Sequence, residues 1–393
     1  MVSRFLIALA FLATSSTFVG AVPNTAVPAL TDIKVAAGWS LFRRPWISSP
    51  SSLVAGGGVG PLYNSRACDS CHVGGGPGHV AQDAIGSGMV VRTGRSEPVG
   101  DPVYGWQIQT RALPGFEPEA DVAFAWENAN KLRTAKIEFA KSHYGPLAFD
   151  SHAALRRAPS LFGVGQLEAI PEKEILAHAG GGHPAWLLAA GGKRELGRFG
   201  WKAAEPNIPM QIANAFQRDF GIATSNFPGA AGECTQAETA CRAVGGPDVE
   251  LPDSLRDLIA DYLRSLRSPE ELRGGGPGFV AFRKVGCMDC HTVLKDKDGQ
   301  TVRAYTDLLL HDMGPGLDDG IAEGAARPSE WRTAPLWDVA DSLSQGGLLH
   351  DGRARSVDEA VQWHGGEASQ SRVAFNALSS KDRKMISDFL LGH

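Results

Sequence analysis

No cluster of basic residues occurs in this 393-residue chain, where 38 lysines and arginines face 43 aspartates and glutamates for a net charge of −5. That balance argues against a nucleic-acid backbone as partner, since phosphate binding needs a concentrated positive face. Long apolar runs are also missing. The best candidate, Phe5 to Ala13, breaks at Thr14-Ser15-Ser16-Thr17, short of the roughly 20 apolar residues a membrane span needs. Cysteine is scarce, six in all, so the chain is not a disulfide-dense scaffold. Apolar residues at 43% and charged residues at 21% exclude wholesale disorder. At about 150 residues per domain the length allows two or three domains. Glycine (47) and proline (24), by contrast, are plentiful and imply many turns.

Arg4, the apolar run and Val19-Gly20-Ala21 follow the order of a secretory signal peptide. Residues 1–21 are therefore expected to be removed near Ala21, leaving a soluble, periplasmic protein. Loops dominate residues 50–100, and the alternation Val122-Ala123-Phe124-Ala125-Trp126 predicts a strand, with β-type character around Lys136 to Phe139. Beyond these the pattern reads mostly helical. Leu255, Leu258, Ile259, Tyr262, Leu263 and Leu266 recur at the helical period. Residues 268–278 read as a linker between domains spanning 22–267 and 279–393. Asp296 to Gly299 reads as a hairpin turn, Ser356 to Glu359 as a capping box, and Ser379 to Leu391 as a final helix.

The cysteines carry the chemistry. Cys68-Asp69-Ser70-Cys71-His72 and Cys287-Met288-Asp289-Cys290-His291 are both CxxCH. At these cysteine and histidine frequencies chance gives on the order of 0.003 such motifs, and here there are two. Two thiols at this spacing form thioethers with the vinyl groups of one porphyrin, and the next imidazole meets its iron. Zinc-binding CxxC pairs sit closer together and need no following histidine, and a thioredoxin-like site needs a βαβ setting. The motifs therefore imply two covalently bound haem c groups. Cys234 and Cys241 form a local disulfide in an exported protein or, alternatively, a pair of redox thiols.

Several further blocks carry a family resemblance. They are Ala158 to Gly165, Leu167-Glu168-Ala169-Ile170-Pro171, Arg198 to Ala203, Asp307 to Gly316, Arg332 to Trp337 and His350-Asp351-Gly352-Arg353 with Val357 to Val361. Together they resemble the di-haem oxidoreductase family, described as thiol oxidoreductases or peroxidases and related to bacterial di-haem cytochrome c peroxidases and MauG. The resemblance covers roughly residues 35–393. It implies a mainly α fold with two cytochrome c-like haem domains and a short-stranded β insertion in the N-terminal half.

The resemblance also implies site residues. His72 and His291 ligate the irons. The position that holds methionine or tyrosine in the relatives is here His364, which makes the C-terminal haem bis-histidine; Met313 and His311 are the alternatives, and a surface histidine is the bland one. For the N-terminal haem His79, His143 and His152 are weak candidates, so an open iron is expected. A distal glutamate in the relatives points to Glu168 as acid–base residue with Gln166 beside it, or to a structural carboxylate at a helix N-terminus. Trp201 bridges the haems or packs in the core, and Arg332 and Arg353 pair with propionates. The implied function is peroxide reduction, with electrons from a small cytochrome, a cupredoxin or a protein substrate. The rivals are a non-catalytic electron-transfer cytochrome and MauG-like oxidation of a partner protein. A calcium ion, as in the peroxidases, has no readable ligand set.

Overall fold

The computed structural model describes residues 32–48, 58–81, 85, 88–129, 132–229, 231–268, 272 and 274–392; the expected signal peptide lies outside them, as do parts of the expected linker. Two helix pairs of the same build frame the chain. Ile33–Arg43 crosses Asp253–Ser265, and Gly276–Lys284 crosses Ser380–Leu390. A glycine lies at each crossing: a Cβ on Gly38 would stand 1.9 Å from the Leu258 carbonyl oxygen, and one on Gly278 would stand 2.2 Å from that of Met385. No larger residue lets the backbones approach so closely.

The helix Asp253–Ser265 confirms the periodic stripe, burying Ile259, Tyr262 and Leu263. A helix of this length is marginal alone in water. Each fully buried apolar side chain contributes about 1.5–3 kcal/mol, so packing decides its stability. The N-cap half of the capping box forms as expected, with the Ser356 hydroxyl accepting from the Glu359 N–H at 3.1 Å and opening Val357–Trp363, while the Glu359 carboxylate accepts from the Arg355 N–H at 2.8 Å. The final helix, Ser380–Leu390, and the small hairpin of Leu294–Lys295 with Thr301–Val302 are also present.

The expected mainly α architecture is not what forms. Helix accounts for 32% and strand for 20%, the strands lying in six two-stranded sheets among the described residues. Most of these pair short segments with no alternation long enough to see. Met89–Gly94, for example, pairs antiparallel with His152–Arg157 from beyond the long hairpin Ala120–Ala129/Leu132–Ser142. Nor does the chain show two cytochrome c-like domains. The largest apolar cluster joins Phe42, Phe216 and Leu263 with Leu294, Leu308, Leu309 and Trp337 from beyond the expected linker. A helix, Gly276–Lys284, starts within that linker.

In the paired strands Val90 lies opposite Arg156, and Arg92 opposite Ala154. Alternation sends Met89, Val91 and Leu155 into an apolar cluster with Tyr104 and Phe124. Val90, Arg92 and Arg156 face the other way and form one wall of an internal cavity.

Candidate functional site

The two CxxCH segments fold alike. Cys68–Cys71 is a single helical turn and Cys287–Asp289 a 3-10 turn. In each the histidine N–H donates to the carbonyl of the first cysteine at 2.9 Å, placing both thiols and the imidazole on one turn. Both segments line one continuous cavity of about 560 Å³. Cys68, Cys71, Cys287 and Cys290 are unpaired, whereas Cys234 and Cys241 form the disulfide. Burial pushes the Cys68 and Cys287 thiols up, so neither is a ready thiolate for metal binding or exchange.

At the second site His291 Nδ1–H donates to the Tyr305 carbonyl at 2.9 Å. A carbonyl only accepts, so the proton is on Nδ1 and the lone pair on Nε2. Tyr305 presents that carbonyl from a left-handed backbone, φ 52°, a conformation costly for a bulky residue. His364, the C-cap of Val357–Trp363, likewise donates from Nδ1 to the Ala360 carbonyl at 2.7 Å. The two ring centroids lie 6.5 Å apart. Imidazoles on opposite faces of one metal ion, each nitrogen about 2 Å from it, put their centroids about 6 Å apart. Burial holds His291 down at about 4, with the nearby His364 adding to it, and burial also lowers His364. Both rings are therefore neutral ligands in waiting.

His311 is occupied on both nitrogens. Nε2 meets Asp307 at 2.9 Å and Nδ1 meets Glu367 at 2.8 Å. Burial opposes its charge, but the hydrogen bonds to Asp307 and the Cys290 sulfur hold the ring up at about 11. An imidazolium has no lone pair for iron. Met313 does line the cavity.

At the first site burial holds His72 at about 4, opposed by the Pro159 and Gly76 backbones, and its buried Nδ1 makes no hydrogen bond of good geometry. Among the described residues no ring pairs with His72 as His364 does with His291. His79 and His152 are exposed. His143 sits between Glu117 and Asp121, and none of the three lines the cavity.

The expected acid–base pair is elsewhere. Glu168 does not line the cavity; it pairs with Arg264 at 2.6 Å and accepts from the Ile208 N–H at 3.0 Å, at the start of the helix Ile208–Phe220. The attraction of a carboxylate to a helix N-terminus explains the placement. Gln166 is exposed. Glu168→Ala is accordingly expected to lower stability by about 1–2 kcal/mol in thermal unfolding while leaving haem content and reactivity unchanged. Arg353 also lies off the cavity, satisfied by Asp351 at 2.8 Å, by the Gly316 carbonyl at 3.0 Å and by the Trp363 ring.

Arg332 and Trp201 do reach the cavity. So does Glu205, which nothing in the sequence singles out beyond its closeness to the Arg198–Ala203 block. Glu205 is 8% exposed, and its Oε1 accepts from Asn214 Nδ2 at 2.5 Å. Burial lifts its pKa to about 7; Arg218 opposes that shift and Glu323 adds to it. A carboxyl poised near neutrality on a cavity wall is a candidate proton-transfer group.

A cavity shared by two such motifs, with free thiols and neutral imidazoles, fits a di-haem site. Residues 274–392 match the family model described as di-haem oxidoreductase, putative peroxidase. The match takes in Cys287 to His291, Arg332 and His364, and supports an oxidoreductase with haem cofactors. No curated protein matches the chain. Among the described residues no helix is long and apolar enough to cross a membrane. Replacing Cys68 and Cys71, or Cys287 and Cys290, with alanine should remove one haem in each case. Haem-stained denaturing gels and haemochrome quantification check this; two haems surviving either change would refute the assignment.

Proposed function

We propose that the protein is an exported di-haem c oxidoreductase of peroxidase type, one haem carrying electrons and the other reacting with peroxide. The asymmetry of the two sites supports this most: His291 faces His364 at 6.5 Å, while among the described residues no ring faces His72. In this reading Cys68, Cys71 and His72 hold the N-terminal haem, and Cys287, Cys290, His291 and His364 hold the C-terminal one. When bound, the haems supply electron transfer and the redox chemistry that cleaves the peroxide O–O bond.

Reducing peroxide to two waters consumes two electrons and two protons, and the chain's own residues handle the protons. Glu205 takes a proton from one peroxide oxygen and gives it to the other. Asn214 holds Oε1, which fixes the carboxyl's orientation. Trp201 is the bridge between the sites: its indole N–H donates to the Arg157 carbonyl at 2.8 Å, and its own carbonyl accepts from the Arg332 N–H at 3.0 Å. The electron donor in this reading is a small cytochrome or cupredoxin.

Stopped-flow mixing of the half-reduced protein with hydrogen peroxide tests the proposal. Rapid reaction, followed by turnover with an electron donor, is expected. Reaction no faster than that of free haem would leave the electron-transfer cytochrome as the better account.

A further inference from the structure

Several arginines on the cavity wall already have a counter-charge. Arg92 pairs with Glu323 at 2.7 Å, Arg218 with Glu233 at 3.1 Å, and Arg156 with Asp319. Arg157 and Arg332 differ. Both line the cavity and are almost wholly buried, at 2% and 8% exposure. Backbone carbonyls alone hold them among the described residues. Arg157 Nη1 donates to the Gly347 carbonyl and Nη2 to that of Gly78 at 2.8 Å, while its Nε is buried without a partner. Arg332 Nε donates to the Gly200 carbonyl and Nη1 to that of Thr333, each at 3.0 Å. Burial drives both guanidinium groups down to about 10; Asp338 and Asp351 oppose that shift at Arg157 and Asp307 opposes it at Arg332, but among the described residues no carboxylate forms an ion pair with either.

A cation buried without an anion is costly, and a planar guanidinium on a cavity wall suits a carboxylate. Each of the two sits by one attachment site. Arg157 leads into Ala158-Pro159, whose proline backbone packs on His72, and its side chain holds the loop that follows that histidine. Arg332 lies on the strand opposite Leu310 to Asp312, whose His311 contacts the Cys290 sulfur at 3.6 Å. Trp201 joins the two through its indole and its carbonyl.

We propose that Arg157 anchors the propionate carboxylates of the N-terminal haem, with Arg332 its counterpart at the C-terminal haem and Arg353 serving neither. This rests on the haem-attachment reading but not on reactivity with peroxide. A fixed positive charge near an iron in a low-dielectric interior favours the reduced state, so its removal lowers the haem's potential. The potential reports that the charge lies close to the haem, and the infrared bands of the propionates report that it pairs with them.

The test is spectroelectrochemical titration of the wild type, Arg157→Met and Arg157→Lys, after haem staining confirms two attached haems in each. At a fixed applied potential, Arg157→Met should cut the reduced-to-oxidised ratio of the N-terminal haem by about tenfold or more, and Arg157→Lys by less than about threefold. The C-terminal haem should not respond. An unchanged potential in Arg157→Met, with both haems attached, overturns the anchor. Should the variants not fold, redox-difference infrared spectra of the wild type with ¹³C-labelled propionates decide. Ionised carboxylate bands indifferent to salt support the proposal, and bands that behave as solvent-exposed carboxylates overturn it. A wild type without covalent haem fails at the staining step, which separates loss of the attachment reading from loss of this one.

Discussion

In His364→Ala the C-terminal haem is expected to change from low-spin to high-spin, with both haems still attached. The capping box at Ser356 fixes the helix Val357–Trp363, and His364 ends it with its Nδ1–H tied to Ala360. That bond leaves Nε2 as the lone-pair nitrogen, on a ring 6.5 Å from that of His291. Alanine removes one strong-field ligand, while the thioethers and His291 remain. His311 does not take over, because Asp307 at 2.9 Å and Glu367 at 2.8 Å already occupy both of its ring nitrogens. Magnetic circular dichroism in the near infrared reads the change. A low-spin signal that survives unaltered would exclude His364 and point to Met313 on the same cavity.

Glu205→Gln should retain both haems and their spectra but slow the reaction with peroxide by roughly 10²–10⁴-fold, the usual worth of a positioned acid–base group. Glutamine preserves size and can still accept from Asn214, so stability should change by no more than about 1–2 kcal/mol. The pH profile gives the sign. A carboxylate must be ionised to take the first proton, so wild-type reactivity should rise as pH climbs through about 7, the value to which burial lifts Glu205. The variant should lose that rise. Stopped-flow rates across pH check both parts. A variant as fast as the wild type would place proton transfer on another group.

Sequence and structure agree where chemistry or periodicity is local. CxxCH confines two thiols and an imidazole to one turn, so the two turns that line the cavity were legible from spacing alone. The stripe of Asp253–Ser265, the capping box at Ser356 and the disulfide Cys234–Cys241 were legible for the same reason. The two local hairpins, Ala120–Ala129 with Leu132–Ser142 and Leu294–Lys295 with Thr301–Val302, were legible too; the other sheets were not, because segments such as Met89–Gly94 find their partners far along the chain and carry too few residues to show a period. Glu168 lies off the cavity; a carboxylate beside a resemblance block looks the same in sequence whether it meets a substrate or caps a helix, and its bonds to Arg264 and Ile208 fit the second. Arg157 and Glu205 were invisible for the converse reason. Only the folded wall shows that one guanidinium there is held by backbone carbonyls with no ion-paired carboxylate and that one carboxyl is buried at the cavity.

The central claim is that one cavity holds two haems of unlike coordination, closed by two histidines at His291 and His364 and open opposite His72. Electron paramagnetic resonance of the fully oxidised wild type, with haem quantification on the same sample, tests it most directly. Two haems per chain are expected, one giving a low-spin ferric signal of bis-imidazole type and the other a high-spin signal in equal amount. Two low-spin signals, or a single haem per chain, would contradict the account.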